Sequence, residues 1–220
     1  MFTDWQLTEV SNFLSDTLLA TFLFYWSQNL KKLDIPNALD NTWALFFFLI
    51  GASAFIGGWG HLLSLHVGTK GVLISWSLSI LAVLSLEIGL LKALEIPAKW
   101  AYPLYLKAVI FMGLTVFYEN FMWVKADMTL GVVFIIIPIL IKHYINTQNQ
   151  AYRIIVGGLL ANGLGGIIHT LNLSFSPNFD HRDLAHMVSI VCFGIIFFGL
   201  KKLSESEEVI PSEVTESVLN

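Results

Sequence analysis

From Leu184 to Leu200 the chain runs without a single Asp, Glu, Lys or Arg, and the run closes on Lys201 and Lys202. About 20 helical residues, rising 1.5 Å each, suffice to cross the hydrocarbon core of a bilayer. A segment in lipid has few folds open to it, because its backbone polar groups must bond to one another. Comparable stretches occupy roughly Leu7–Leu30, Asn41–Leu62, Gly71–Ala93, Ala101–Val124, Thr129–Asn146, Ala151–Asn172 and Asp183–Lys202. The 220 residues are 55% hydrophobic and 13% charged, more apolar material than a water-soluble domain of this length hides. The expected fold is an all-α membrane protein: a seven-transmembrane-helix bundle over residues 1–202. An acidic, disordered cytoplasmic tail, 203–220, follows it.

The connections are short and carry breakers, Asp34-Ile35-Pro36-Asn37, Gly68, Ile96-Pro97 and Ser176-Pro177-Asn178, so sequential helices run antiparallel. Alternation then puts Lys31, Lys32, Lys92, Lys99, Lys142, Arg153, Lys201 and Lys202 on one side. Only Lys70, Lys125 and Arg182 fall on the other, with Lys107 inside the fourth span. Cytoplasmic loops carry the excess of Lys and Arg, which predicts an outside N-terminus and a cytoplasmic C-terminus, in a bacterial inner (plasma) membrane. No basic start with a small-residue cleavage site marks a signal peptide, so the first apolar helix reads as an uncleaved anchor. The lone Cys192 offers no disulfide, and no basic patch suits a nucleic acid.

The same alternation brings His61, His66, His169, His181 and His186 to the outer end and leaves His143 at the inner one. Imidazole is a common zinc ligand, and catalytic zinc takes three protein ligands plus a water. His61, His169 and His186, one each from spans two, six and seven, are the candidate metal set. His181 joins only if it belongs to the loop, because five residues place it about 140° around a helix from His186. Asp183 shares a helix face with His186 and could orient the imidazole or activate a bound water. Glu119, reaching the same level on span four, is a second candidate for proton transfer, and Ser64 a candidate oxyanion contact. Packing explains several of these residues equally well. Gly57, Gly58 and Gly60 beside His61 suit close helix approach, and Asn162 with His169 could form a polar seam.

Glu9, Asn12 and Asp16 form a polar stripe on span one, with Asp16 well inside the span and in need of a partner. Glu87 lies deep on span three, and Lys107 either snorkels or pairs with such an acid.

Asn178–Ser189, NFDHRDLAHMVS, resembles the Asp-Leu-x-His stretch that opens the last span of a family of small bacterial seven-helix membrane proteins. Gly57-Gly58-Trp59-Gly60-His61 and an early Asp, here Asp16, are similar to the same family's second and first spans. These proteins in turn resemble the superfamily that joins alkaline ceramidases with progestin and adipoQ receptors. That resemblance implies a zinc-dependent amidase or lipid hydrolase, with His61 and His186 as ligands. It departs from the superfamily at the HxxxxH spacing of His181 and His186, and at Val72, where the superfamily has an Asp.

The leading expectation is a zinc-dependent membrane hydrolase acting on a lipid amide or ester, with membrane lipid as partner. The alternatives are a proton or cation transporter or sensor using intramembrane Asp, Glu and His, and a non-enzymatic seven-helix protein, any of them as a possible homo-oligomer. Retinal is not expected, because Met187–Leu200 holds no Lys for a Schiff base.

Overall fold

Seven helices account for nearly all of the chain that the computed structural model describes, namely residues 4–35, 39–63, 66 and 68–206. They are α1 (Asp4–Leu30), α2 (Leu39–Leu62), α3 (Lys70–Ala93), α4 (Ala101–Tyr118), α5 (Met122–Thr147), α6 (Gln150–Leu171) and α7 (His181–Glu205). Six of them, α2 to α7, are long and apolar enough to cross a membrane, as expected of an integral membrane protein. Helix α1 is long enough but more polar.

Local chemistry sets the helix ends. Asp180 caps α7 by accepting from the backbone N–H groups of Arg182 and Asp183, while Asp183 accepts from Asp180 N, a reciprocal capping box. Asn149 caps α6 by accepting from Ala151 N, and Gln148 and Asn172 end α5 and α6 in the left-handed conformation. Pro138 lacks an N–H and would clash with the carbonyl one turn earlier. Helix α5 absorbs this by widening into a π turn over Val132–Ile136.

One boundary departs from the sequence reading. Span four was expected to run to Val124, but α4 stops at Tyr118, where Glu119 takes φ 45°. Hydropathy does not register this break, because Phe117, Phe121, Met122 and Val124 continue the apolar run across it. Asn120 then accepts from Met122 N to start α5, so Lys125 and Asp127, expected in a loop, are helical. At the other end α7 continues to Glu205, beyond Lys202. Pro36, Asn37, Ser64 and the tail from residue 207 lie outside the described residues.

Helix α1 packs against α2 and α7, α2 against α3, α6 against α7, and α3 against both α4 and α5. The core is aromatic where α1, α2 and α7 meet. Phe193 stands 5.6 Å from Phe47 and 6.1 Å from Phe46, ring centre to ring centre, and Trp26 stacks on Phe197. Close approach uses the α2 glycines: a Cβ at Gly58 would meet Asp16 Cβ at 3.0 Å, and one at Gly60 would meet Gly71 O at 2.7 Å. Helix α4 is the outlier, burying Leu104, Ala108 and Thr115 while Leu106, Val109 and Phe117 face outward. That is the pattern of a surface bathed in lipid rather than water.

Candidate functional site

Glu9, Asn12, Ser15 and Asp16 follow one another down the buried face of α1. An unpartnered carboxylate in hydrocarbon is costly, so this stripe docks only where α2 and α7 supply polar groups. Helix α7 supplies them through its first turn. Asp183, fully buried, accepts from Ser11 Oγ at 2.9 Å, Ser15 Oγ at 2.6 Å and Asp180 N at 3.1 Å. Ser15 Oγ also lies 3.1 Å from His186 Nδ1. The short contact to a carboxylate claims the hydroxyl proton, so His186 Nδ1 donates to Ser15, which in a neutral imidazole leaves Nε2 without a proton. That Nε2 faces Asp16 Oδ1 at 3.3 Å.

Arg182 makes the second knot. It bonds Asp180 Oδ2 through Nε (2.9 Å) and Nη2 (2.7 Å), Glu9 Oε1 at 3.3 Å and His61 Nδ1 at 3.2 Å. Glu9 Oε2 stands 3.1 Å from the same His61 Nδ1. One guanidinium therefore ties α1, α2 and the start of α7 together, a fork that Lys could not reproduce. Burial alone would raise the carboxyl pKa of Asp180, but the Arg182 hydrogen bonds and charge bring it below the usual Asp value.

Both knots border a cavity of about 340 Å³ between α1, α2, α3, α5, α6 and α7. Asp16, His61, Arg182 and His186 line it, as do Asn162 and His169 of α6. Among the described residues, His169 Nδ1 and Asn162 Oδ1 are buried without a hydrogen-bond partner. On the α2–α3 wall, Ser53 Oγ bonds Ser79 Oγ at 2.8 Å and donates to the Ser75 carbonyl at 2.8 Å. Leu19, Ile50, Ala54 and Phe193 supply apolar wall.

A family model matches residues 11–205. The chain belongs to DUF6962, a family of unknown function. The match takes in Ser11, Asp16, His61, Arg182, Asp183 and His186, and leaves Glu9 just outside. No curated protein matches the chain, and no solved structure does.

The three histidines expected to form a metal set do share the cavity wall, but they do not converge. Among the described residues, no three of His, Cys, Asp and Glu stand close enough to hold one ion. The ring of His169 turns to Phe121 (5.2 Å) and to His181 (4.9 Å), and His61 turns to Glu9 and Arg182. His181 is the first residue of α7 and touches His169 rather than the cavity. Asp183, expected to handle a proton, lies behind His186 with both carboxylate oxygens already bonded. Glu119 is exposed at the left-handed end of α4 and bonds Thr69, away from the cavity. Ser64 lies outside the described residues. Asn12 is fully buried with neither side-chain atom bonded, and Glu87 belongs to a separate cluster with Lys107 and Asp127.

Sequence reasoning placed Arg182 on the outer side with the histidines but gave it no partner, and it missed Ser15, whose role needs the facing turn of α7. Ser11 and Ser15 share the α1 face with Asn12 and Asp16, and that spacing is the signal that was there to be used.

Proposed function

We propose that this protein is a metal-dependent integral membrane hydrolase of a lipid amide or ester, with its site in the cavity and Asp16 and His186 as metal ligands. The observation that carries the reading is the Asp16–His186 pair. Its 3.3 Å separation is long for a charge-assisted hydrogen bond, about 2.7–2.9 Å. It matches the edge of a tetrahedron whose ligands each stand about 2.0–2.1 Å from zinc, an edge of about 3.3 Å. The relay behind it, His186 Nδ1–H to Ser15 to Asp183, is the support a metal-binding imidazole needs to keep Nε2 bare.

Charge supports the same reading. Glu9 and Asp180 pair directly with Arg182 and Asp183 with three donors, whereas among the described residues the ion pair of Asp16 is with the His186 imidazole, at the wall of the cavity. A divalent cation there has a carboxylate to neutralise. His61, on the same wall, is turned to Glu9 and Arg182, so Asp16 and His186 are the two protein ligands of this reading. A bound zinc would lower the pKa of a ligated water and polarise a carbonyl. Arg182, which lines the cavity, places positive charge where an oxyanion would develop. His169 and Asn162 offer unpaired polar atoms to the head of a substrate, and the apolar wall accepts its chain.

In this reading α1 is the seventh span, made tolerable in lipid by the partners of its polar face. The Lys and Arg distribution orients the N-terminus outward and the site toward the outer leaflet. The test is elemental analysis of detergent-purified protein beside His186→Ala and Asp16→Asn. About one zinc per wild-type chain, lost in both variants, is expected. A wild type that takes up no zinc after re-addition would end the hydrolase reading.

A further inference from the structure

A second group of charges lies apart from the cavity, near the middle of α4. Lys107 reaches from that helix to Glu87 Oε1 on α3 at 2.8 Å and to Asp127 Oδ1 on α5 at 3.0 Å. Glu87 and Asp127 are both fully buried. Among the described residues, the ion pairs of both carboxylates are with Lys107. With every group ionised, two carboxylates face one ammonium, and the cluster carries an uncompensated negative charge inside the bundle. Such a charge is among the costliest features a buried site can have.

The unbonded atoms say the same thing. Among the described residues, Glu87 Oε2 and Asp127 Oδ2 have no hydrogen-bond partner, while Lys107 reaches Asp127 Oδ1 at 3.0 Å. Two buried acceptor oxygens, one on each carboxylate, are thus left without a donor. The site is also shaped for its contents. A Cβ on Gly131 would fall 2.6 Å from Glu87 Oε1 and 3.1 Å from Lys107 Nζ, so the trio packs on bare backbone there. The π turn of α5 begins at the next residue, Val132, and π turns recur at functional positions.

We propose that Glu87, Lys107 and Asp127 form a proton-binding site that holds one exchangeable proton, shared between the two carboxyl groups. A proton meets the requirement and a metal ion does not. The ammonium already occupies the place a cation would take and would repel a second one, whereas a proton cancels the excess charge and adds the missing donor. The step is a simple exchange: hydronium gives its proton to a carboxylate oxygen and leaves as water, and the reverse releases it. This site does not depend on the hydrolase reading. It also has a mechanical consequence, because α4 buries few side chains and Lys107 is its main polar tie to α3 and α5. Proton uptake changes how many carboxylates hold that tie.

Infrared difference spectroscopy on the full-length protein in nanodiscs, recorded across pH steps, tests the proposal. The wild type is expected to show a protonated-carboxyl carbonyl band that shifts in heavy water. The band should be lost in the double variant Glu87→Gln, Asp127→Asn and kept in Asp16→Asn. A wild type that stays folded across the range and shows no such band, or a band removed by Asp16→Asn alone, would overturn it. Should the double variant not fold, isotope-edited carboxylate bands of the wild type decide the matter. Full ionisation of both groups at every pH at which the protein is folded would make the trio a plain ionic clamp.

Discussion

Replacing Ser15 with Ala removes a single oxygen from the interior of the bundle, yet that oxygen joins Asp183 to His186. It donates to Asp183 Oδ1 at 2.6 Å and accepts from His186 Nδ1 at 3.1 Å. Two effects follow, and they differ in size. Stability loses a hydrogen bond to a charged group, about 1.5–3 kcal/mol in a soluble protein. Interhelical polar contacts within membranes average only about 0.6 kcal/mol, with a ceiling near ~1.7. The variant should therefore fold, at a cost of about 1–2 kcal/mol. Metal binding loses the group that fixes the ring and keeps Nε2 bare. Loss of such outer support weakens metal affinity about 10–100-fold, which is about 1.4–2.8 kcal/mol at 1.4 kcal/mol per tenfold. Competition for zinc against a chromophoric chelator reads this directly. Ser11→Ala is the control, because Ser11 bonds the other oxygen of Asp183 and no contact joins it to His186. An affinity for Ser15→Ala within twofold of wild type, or an equal loss in Ser11→Ala, would refute the relay.

Three further outcomes are expected. Gly131→Ala should destabilise the protein by about 1–3 kcal/mol, the usual cost of overpacking, because its methyl would press on Glu87 and Val83. Gly113→Ala, with nothing within 4 Å of the new methyl, should be neutral or slightly stabilising; thermal unfolding in detergent compares the two. Asp180 has a lowered pKa when folded, so its contribution to stability is present above the ordinary Asp value of about 3.9 and is lost as pH falls through the lower folded value. Unfolding midpoints of wild type and Asp180→Asn should therefore converge on acidification below about 3.9, the difference between them being largest near neutral pH. Arg182→Lys keeps the charge but cannot bridge Asp180, Glu9 and His61 at once. It should lower the unfolding midpoint more than Lys70→Arg, at an exposed position where helix α3 begins, does.

The helical class and the approximate limits of most helices are legible in the sequence because hydropathy reports what faces lipid. The alternation of spans also places His61, His169 and His186 at one end of the bundle, where all three line the cavity. What alternation cannot give is rotation about each helix axis. His169 shares the level of His186, yet its ring turns to Phe121 and His181. Asp16 was visible as a carboxylate needing a partner, but its partner is decided by the capping turn of α7, which swings Asp183 behind Ser15 and His186 in front of it. Asp127 was obscured by one backbone event. The left-handed turn at Glu119 ends α4 early and starts α5 early, and this moves Asp127 from an expected loop to a buried helical position beside Lys107.

The bundle meets the same difficulty twice, more carboxylates than cations in a place where charge is costly, and it leaves different room for the remedy each time. At the Glu87–Lys107–Asp127 trio an ammonium stands against both acids and backbone closes in at Gly131, so there is space and charge for a proton only. At Asp16 the guanidinium of Arg182 is committed to Asp180 and Glu9, the neighbouring imidazole presents a lone pair, and the cavity of about 340 Å³ stays open in front of them. A proton placed there would satisfy Asp16 and His186 alone, while His169 and Asn162 line the same cavity. The proposed metal ion would instead keep coordination positions for a water and a substrate head. The contrast makes the two sites separable: zinc should protect Asp16 and His186 from substitution-sensitive changes in chelator titrations while leaving the infrared signature of the trio unmoved.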